Sequence, residues 1–224
     1  MSPSAPHALR GVIFDMDGTL LDTIGDIAAS MNEALSTLGM PVHPLEDYRD
    51  FVGDGIETLA RRALPAEHRD GETVRLAVSE MRSRYAGMWS RTTRPFPGVP
   101  EMLDELAGRG VRMSVLSNKL DEFTKAMANH FFPRVRFTAV RGLGPDMPRK
   151  PDPRGALWCA ETMGVHPSRC VFVGDSVIDM ETGRRAQMLP IGVLWGYQDR
   201  ERLMGAGAWA LAQEPGELVG FLDS

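Results

Sequence analysis

One apolar tetrapeptide in this chain has no partner near it. Gly11-Val-Ile-Phe14 runs straight into Asp15-Met-Asp17-Gly18-Thr19, and the next comparable apolar run begins only at residue 111. A short, continuously apolar segment that stops at polar and glycine residues is the pattern of a strand buried on both faces. Such a strand needs neighbours, and the residues that follow it have a different period. From Asp22 onward, Ile24, Ile27, Ala28, Met31, Ala34, Leu35 and Leu38 recur at three- and four-residue steps, with Asp22 or Thr23 as N-cap and Gly39 as the stop. Further helices are expected at about 45–51, 56–64 and 67–91, with no alternation of the strand kind. After Arg94-Pro-Phe-Pro-Gly98 the pattern becomes alternating. Helices are expected over 99–109, 121–129, 153–163 and up to about 186, and strands over 111–116, 134–140, 170–173 and 191–194. Repeated strand–helix units predict an α/β fold with a doubly wound parallel sheet. The helical block is then an insertion after the first strand: a core of 8–21 and 95–224, a helical domain of 22–94, and linkers near 19–23 and 94–100.

Composition excludes several roles. The 224 residues carry 25 basic and 30 acidic side chains, a formal charge of −5, which argues against a nucleic-acid or anionic-membrane surface. No stretch approaches the ~20 apolar residues of a membrane span. The first ten residues have Pro3, Pro6 and no apolar run of the signal-peptide kind, so a cytoplasmic protein is expected, as a monomer or homodimer. Cys159 and Cys170 each lie in an apolar run without a Cys-x-x-Cys pattern, and buried thiols are expected in place of a disulfide or metal pair. Met31, Met102, Met127 and Met163 fall at core spacing, and Trp158 and Trp195 sit among apolar neighbours. Tyr85 and Trp89 read as hinge or partner-facing. Of the 25 basic residues only Lys119, Lys125 and Lys150 are lysines.

The polar residues fall where an open parallel sheet binds ligands, beyond the carboxyl ends of its strands. The first strand delivers Asp15 and Asp17, the second Ser117 and Asn118, and the 170–173 strand Asp175, Ser176 and, one turn on, Asp179. Lys150 precedes a helix N-terminus. Three carboxylates brought to one cleft repel each other and raise one another's pKa unless a cation is present. A hard, oxygen-ligated ion such as Mg²⁺, holding a substrate phosphate as well, resolves that conflict. Ser117 and Lys150 would then donate to the phosphate oxygens. A lysine at 150, in a chain that otherwise uses arginine, suggests a compact ammonium in preference to a planar fork.

Asp15-Met-Asp17-Gly-Thr-Leu20, Ser117-Asn118-Lys119, Lys150-Pro151 and Gly174-Asp175-Ser176-x-x-Asp179 resemble the four ordered motifs of the haloacid dehalogenase superfamily. The helical insertion resembles that superfamily's small cap on a Rossmann-like core. Phe51-Val-Gly-Asp-Gly55 and Ile191-Gly-Val-Leu-Trp-Gly-Tyr197 make the chain most similar to the phosphoglycolate phosphatase branch. The resemblance implies Asp15 as nucleophile, forming an aspartyl-phosphate, and Asp17 as acid and then base. It implies Mg²⁺ on Asp15, the Asp17 carbonyl and Asp175, with Asp179 as a further ligand or as a partner that holds the ligands, and phosphate binding by Ser117, the backbone around Asn118, and Lys150. Asp17 argues against carbon–halide chemistry, which has no leaving alkoxide to protonate. The absence of lysine from residues 22–94 argues against the phosphonate-cleaving branch. The expected reaction is hydrolysis of a small phosphomonoester, 2-phosphoglycolate first. A phosphosugar mutase and a non-catalytic phospholigand-binding regulator are the alternatives. For the substrate's far end, the cap loop residues Gly53, Asp54 and Gly55, with Arg61 or Arg62 behind them, are the candidates.

Overall fold

The computed structural model describes residues 9–222. The chain opens with β1 (Gly11–Phe14) and β2 (Leu21–Asp22), then four helices, α1 (Ile24–Thr37), α2 (Tyr48–Phe51), α3 (Ile56–Ala63) and α4 (Gly71–Tyr85). Next come β3 (Arg94–Pro95), α5 (Val99–Gly108), β4 (Arg112–Leu120), α6 (Asp121–Phe131), β5 (Ala139–Leu143) and α7 (Arg154–Met163). The remainder is β6 (Cys170–Gly174), α8 (Val177–Arg185), β7 (Leu189–Val193), α9 (Arg200–Gly205), β8 (Ala210–Ala212) and α10 (Glu217–Phe221).

Six of the strands form one parallel sheet in the order β5-β4-β1-β6-β7-β8. β1 lies between β4 and β6, with Phe14 opposite Val115 on one side and Val173 on the other. The two faces follow from the two-residue period of strands. Val12, Phe14, Val171 and Val173 turn to the face covered by α5, α6 and α10, while Ile13, Cys170 and Phe172 turn to the face covered by α7. Helices on both faces explain why β1 carries no polar position. The fold is the expected α/β doubly wound sheet, and its strand order reverses beside β1, the place where such sheets hold ligands.

The four helices after β2 pack mainly α1 on α4 and α3 on α4. α1 buries Ile24, Ile27, Ala28, Met31, Ala34 and Leu35, the stripe expected from the sequence. These helices share one apolar cluster with the sheet face of Val12 and Phe14. The outgoing and returning segments meet in a two-strand antiparallel ribbon, Leu21 opposite Pro95 and Asp22 opposite Arg94. Just inside it, buried Asp26 accepts hydrogen bonds from the backbone N–H and hydroxyl of both Thr92 and Thr93. Burial alone would raise this carboxyl, but the threonine donors hold it below its ordinary range.

Several expectations need correction. The strand expected over 134–140 is β5 at Ala139–Leu143, because pairing with β4 begins only at Ser114–Ala139. β4 extends past residue 116 to Leu120, through an irregular step in its register with β5. The long helix expected over 67–91 is broken into a 3-10 turn at Ala66–His68 and α4, the latter started by Asp70, whose carboxylate accepts from the Glu72 and Thr73 N–H groups. Trp158 is not core: it is 38% exposed, with the Arg141 guanidinium over its ring. Tyr85 is buried, and Trp89 packs edge-on against His130 and Phe131 of α6. Both cysteines are free and buried, as expected. Met1 and the seven residues after it lie outside the described residues. Among the described residues no helix is long and apolar enough to cross a membrane.

Candidate active site

The carboxyl edge of the sheet gathers the polar residues. Asp15 and Asp17 follow β1, Ser117 to Lys119 lie in the last part of β4, Asp175 follows β6, and Asp179 sits in the first turn of α8. Lys150 enters from the loop before α7. Gly18 has φ +81°, and a Cβ there would lie 2.3 Å from Asp175 Oδ2. The turn after β1 can therefore press against the loop after β6 only with glycine at this position.

Lys150 is the hub of the cluster. Its Nζ lies 2.8 Å from Asp15 Oδ1 and 2.7 Å from Asp179 Oδ1, with all three side chains buried. Asn118 fixes its backbone, accepting from the Lys150 N–H at 2.8 Å and donating to the Lys150 carbonyl at 3.2 Å. Asp179 is fixed in turn by Ser176, which donates to its Oδ2 from the backbone N–H and from the hydroxyl, closing a capping box at the start of α8. Asp175 accepts from the Thr19 hydroxyl at 3.2 Å and the Tyr197 N–H at 2.9 Å.

Carboxylate oxygens of Asp15, Asp175 and Asp179 lie within 4.8 Å of one another. Burial raises Asp15 to about 7, with Lys150 opposing and Asp179 adding to the rise. Asp175 is pushed well above the ordinary carboxylate range by burial and then by Asp179 and Asp15. Burial works to lower Lys150, but the charges of Asp15 and Asp179 override it and hold the ammonium above its usual value. With Asp17 and Lys119 included, four carboxylates face two ammoniums. Two negative charges stay uncompensated when all are ionised, and Asp15 Oδ1 receives no aligned hydrogen bond. An all-oxygen donor set with that charge deficit fits a hard divalent cation.

Above these residues lies a cleft enclosing ≈ 610 Å³, open solvent at its mouth included, between the sheet edge and the inserted helices. Its floor includes Asp15, Asp17, Ser117 and Lys119, and its walls include Ile27, Val52, Ile56, Leu59, Met81 and Phe123. Gly53 and Gly55 also line it. The Gly53 carbonyl accepts from Asn118 Nδ2 at 3.0 Å, and Gly55, at φ +82°, comes so near the Asn118 carbonyl that a Cβ would sit 3.3 Å away. Asp54 turns elsewhere: its carboxylate pairs with Arg62 at 2.6 Å and its carbonyl accepts from Arg149 at 2.7 Å. Arg61 donates to the Arg69 carbonyl at 2.8 Å and does not line this cleft.

The sequence assigns Lys119 no role, yet its ammonium lies 3.0 and 2.9 Å from the two oxygens of Asp17, with its side chain largely covered. Burial works to lower it, and the Asp17 charge overrides that and holds it above its ordinary value. Its rarity was the available signal, since two of only three lysines in the chain meet here. Tyr85, read as hinge or partner-facing, lines the cleft instead, and Arg149 carried no signal because nothing local distinguishes it from an ordinary loop residue.

The family model for haloacid dehalogenase-like hydrolases matches residues 12–193, from β1 to the end of β7. The chain belongs to that family. Among similar curated proteins, the phosphoglycolate phosphatase of Psychrobacter arcticus is 32% identical over 193 residues, covering 83% of this chain and 84% of its own length. That of Aquifex aeolicus is 30% identical over 189 residues, covering 84% and 86%. A solved structure from Lactobacillus delbrueckii subsp. bulgaricus, of a protein inferred to be a phosphoglycolate phosphatase, shares the fold with this hydrolase. Its TM-score is 0.91 at 28% identity, over 96% of this chain and 99% of that one. CbbY from Rhodobacter sphaeroides, solved with phosphate, has the same fold at TM-score 0.80 and 21% identity, covering 96% and 100%.

Proposed function

We propose that this enzyme hydrolyses a small phosphomonoester with Mg²⁺, 2-phosphoglycolate being the first candidate. The chain is a phosphatase of the haloacid dehalogenase-like family, and the observation that carries the reading is the buried Asp15–Lys150–Asp179–Asp175 cluster, which meets the cleft at Asp15. Asp15, Asp175 and the main-chain carbonyl of Asp17 would hold the ion. Bound there, it supplies charge compensation for the oxygens of the transferring phosphoryl group. Both Asp179 oxygens already have donors, so its part is to aim Lys150.

The chemistry runs through this chain's own groups. Asp15 attacks phosphorus as the bond to the leaving oxygen breaks, giving an aspartyl-phosphate. Asp17 gives a proton to the departing alkoxide and later takes one from the water that attacks the phosphoenzyme. Phosphate leaves and Asp15 is regenerated. Ser117 and Lys150 donate to the phosphoryl oxygens throughout, where charge stabilisation matters most. The apolar cleft walls limit water at the reacting centre. Two free, buried thiols are in keeping with work in the reducing cytoplasm.

The test is phosphate release from 2-phosphoglycolate, sugar phosphates, nucleotides and p-nitrophenyl phosphate, each with Mg²⁺ and with EDTA. The expected result is Mg²⁺-dependent release, fastest from 2-phosphoglycolate. No release from any ester rejects the phosphatase reading, and sugar-phosphate interconversion without release replaces it with a mutase.

A further inference from the structure

Lys119, Tyr85 and the apolar wall around them have no part in the reaction as described. Lys119 lines the cleft beside Asp15 and Asp17 with its side chain 8% exposed. Its ammonium lies over the Tyr85 ring, 4.7 Å from the centroid. Tyr85 lines the same cleft, and its hydroxyl, buried beside Lys119, has no aligned hydrogen bond. A buried hydroxyl without a partner is destabilising, and a ligand group that reaches it recovers that loss.

We infer that Lys119, with the Tyr85 hydroxyl, binds a carboxylate that the substrate carries close to its phosphate ester. The inference rests on the phosphatase reading above and names the substrate's second charged group. Lys150 is already engaged by Asp15 and Asp179. Arg82, at the rim, is mostly exposed and pairs with Glu122. The ammonium and the phenol thus stand together in a wall otherwise made by Ile27, Leu59, Met81 and Phe123. A carboxylate accepts from both donors at once. A polyhydroxylated sugar finds few partners against that wall, and an uncharged alkyl group leaves Lys119 with Asp17 alone. Position sets the length as well. Lys119 touches the residue that serves the leaving oxygen, so a carboxylate reaching it sits on the carbon next to that oxygen, as in a short 2-phosphocarboxylate. On arrival it shares or replaces Asp17 as the partner of the ammonium.

The experiment compares kcat/KM for 2-phosphoglycolate and for ethyl phosphate, which lacks the carboxylate, in the parent, Lys119→Met and Tyr85→Phe. The parent is expected to prefer 2-phosphoglycolate. Lys119→Met should lower that preference about 10- to 100-fold, the scale of a lost charge-assisted hydrogen bond. Tyr85→Phe should raise KM for 2-phosphoglycolate several-fold with kcat nearly unchanged. Equal rates on both esters in the parent, or equal losses on both in Lys119→Met, overturn the inference while the phosphatase reading stands. No hydrolysis of either ester by the parent rejects the phosphatase reading itself. Should Lys119→Met fail to fold, as judged by circular dichroism, the parent's preference and Tyr85→Phe decide the matter.

Discussion

The floor and the roof of the cleft are made on different terms. Floor residues come from four separated stretches of chain, each delivered by a strand end or by the loop before a helix, and each holds several partners. Lys150 touches Asp15 and Asp179, Asp179 is capped by Ser176, and Asp175 is held by Thr19 and Tyr197. The roof is mostly the apolar side of α1, α3 and α4, and at the 53–55 loop it meets the floor through main-chain atoms, Gly53 to Asn118 and Asp54 to Arg149. A charged lattice on rigid strand ends suits a reaction whose transition state must be matched closely. A hydrophobic wall on helices can change its side chains without moving that lattice. On the proposed function, reaction type resides in the floor and substrate choice in the roof, with Lys119 at the seam.

That division can be broken by experiment. Asp15→Asn should lower kcat at least about a thousandfold on every ester, because it removes the carboxylate proposed to attack phosphorus. A loss confined to one substrate would move Asp15 out of the general machinery. The next effect is on stability. Asp15 and Asp175 are raised in the folded chain. From the unfolded value near 3.8 up to about 7 for Asp15, and likewise above 3.8 for Asp175, the folded state holds protons that the unfolded state has released, so stability falls as pH rises through that window. The EDTA-treated protein should lose on the order of 1–4 kcal/mol from pH 5 to pH 8. Added Mg²⁺ should raise Tm most at the alkaline end. A Tm in EDTA that holds or climbs over this range would show the floor to be electrostatically relaxed. The smallest effect belongs to the roof's polar contact. Arg149→Ala loses hydrogen bonds to Asp54 and Thr58 at the surface and should raise KM about two- to fivefold with little change in kcat, since exposed contacts are worth about 1 kcal/mol or less. A large fall in kcat would mean that the 53–55 loop shapes the floor as well.

The same contrast explains what the sequence made legible. The motifs at 15–17, 117–118 and 175–179 could be read because each follows the clear apolar run of a strand, and Lys150 because it precedes a helix with a clear period; the structure brings all of them together. β2, β3, β8, α9 and α10 are two to six residues long, too short for any period to register. β5 was misplaced because Arg134 and Arg136 precede a strand whose register is set by its neighbour β4. Lys119 stood inside a quoted motif without a role, because its partner Asp17 is 102 residues away and no local pattern carries a contact at that separation. Arg61 illustrates the reverse error of proximity. It is near the loop in sequence, but α3 turns its side chain toward Arg69.

The ribbon of β2 and β3 bears on how such an enzyme can be rebuilt. To the sheet, the whole helical insertion is one hairpin whose ends stay about 5 Å apart, the spacing of paired strands. Closing a loop costs only logarithmically more as it lengthens. A guest segment of quite different size could therefore be spliced between Asp22 and Arg94 with little penalty to the host, provided its own ends meet at that spacing.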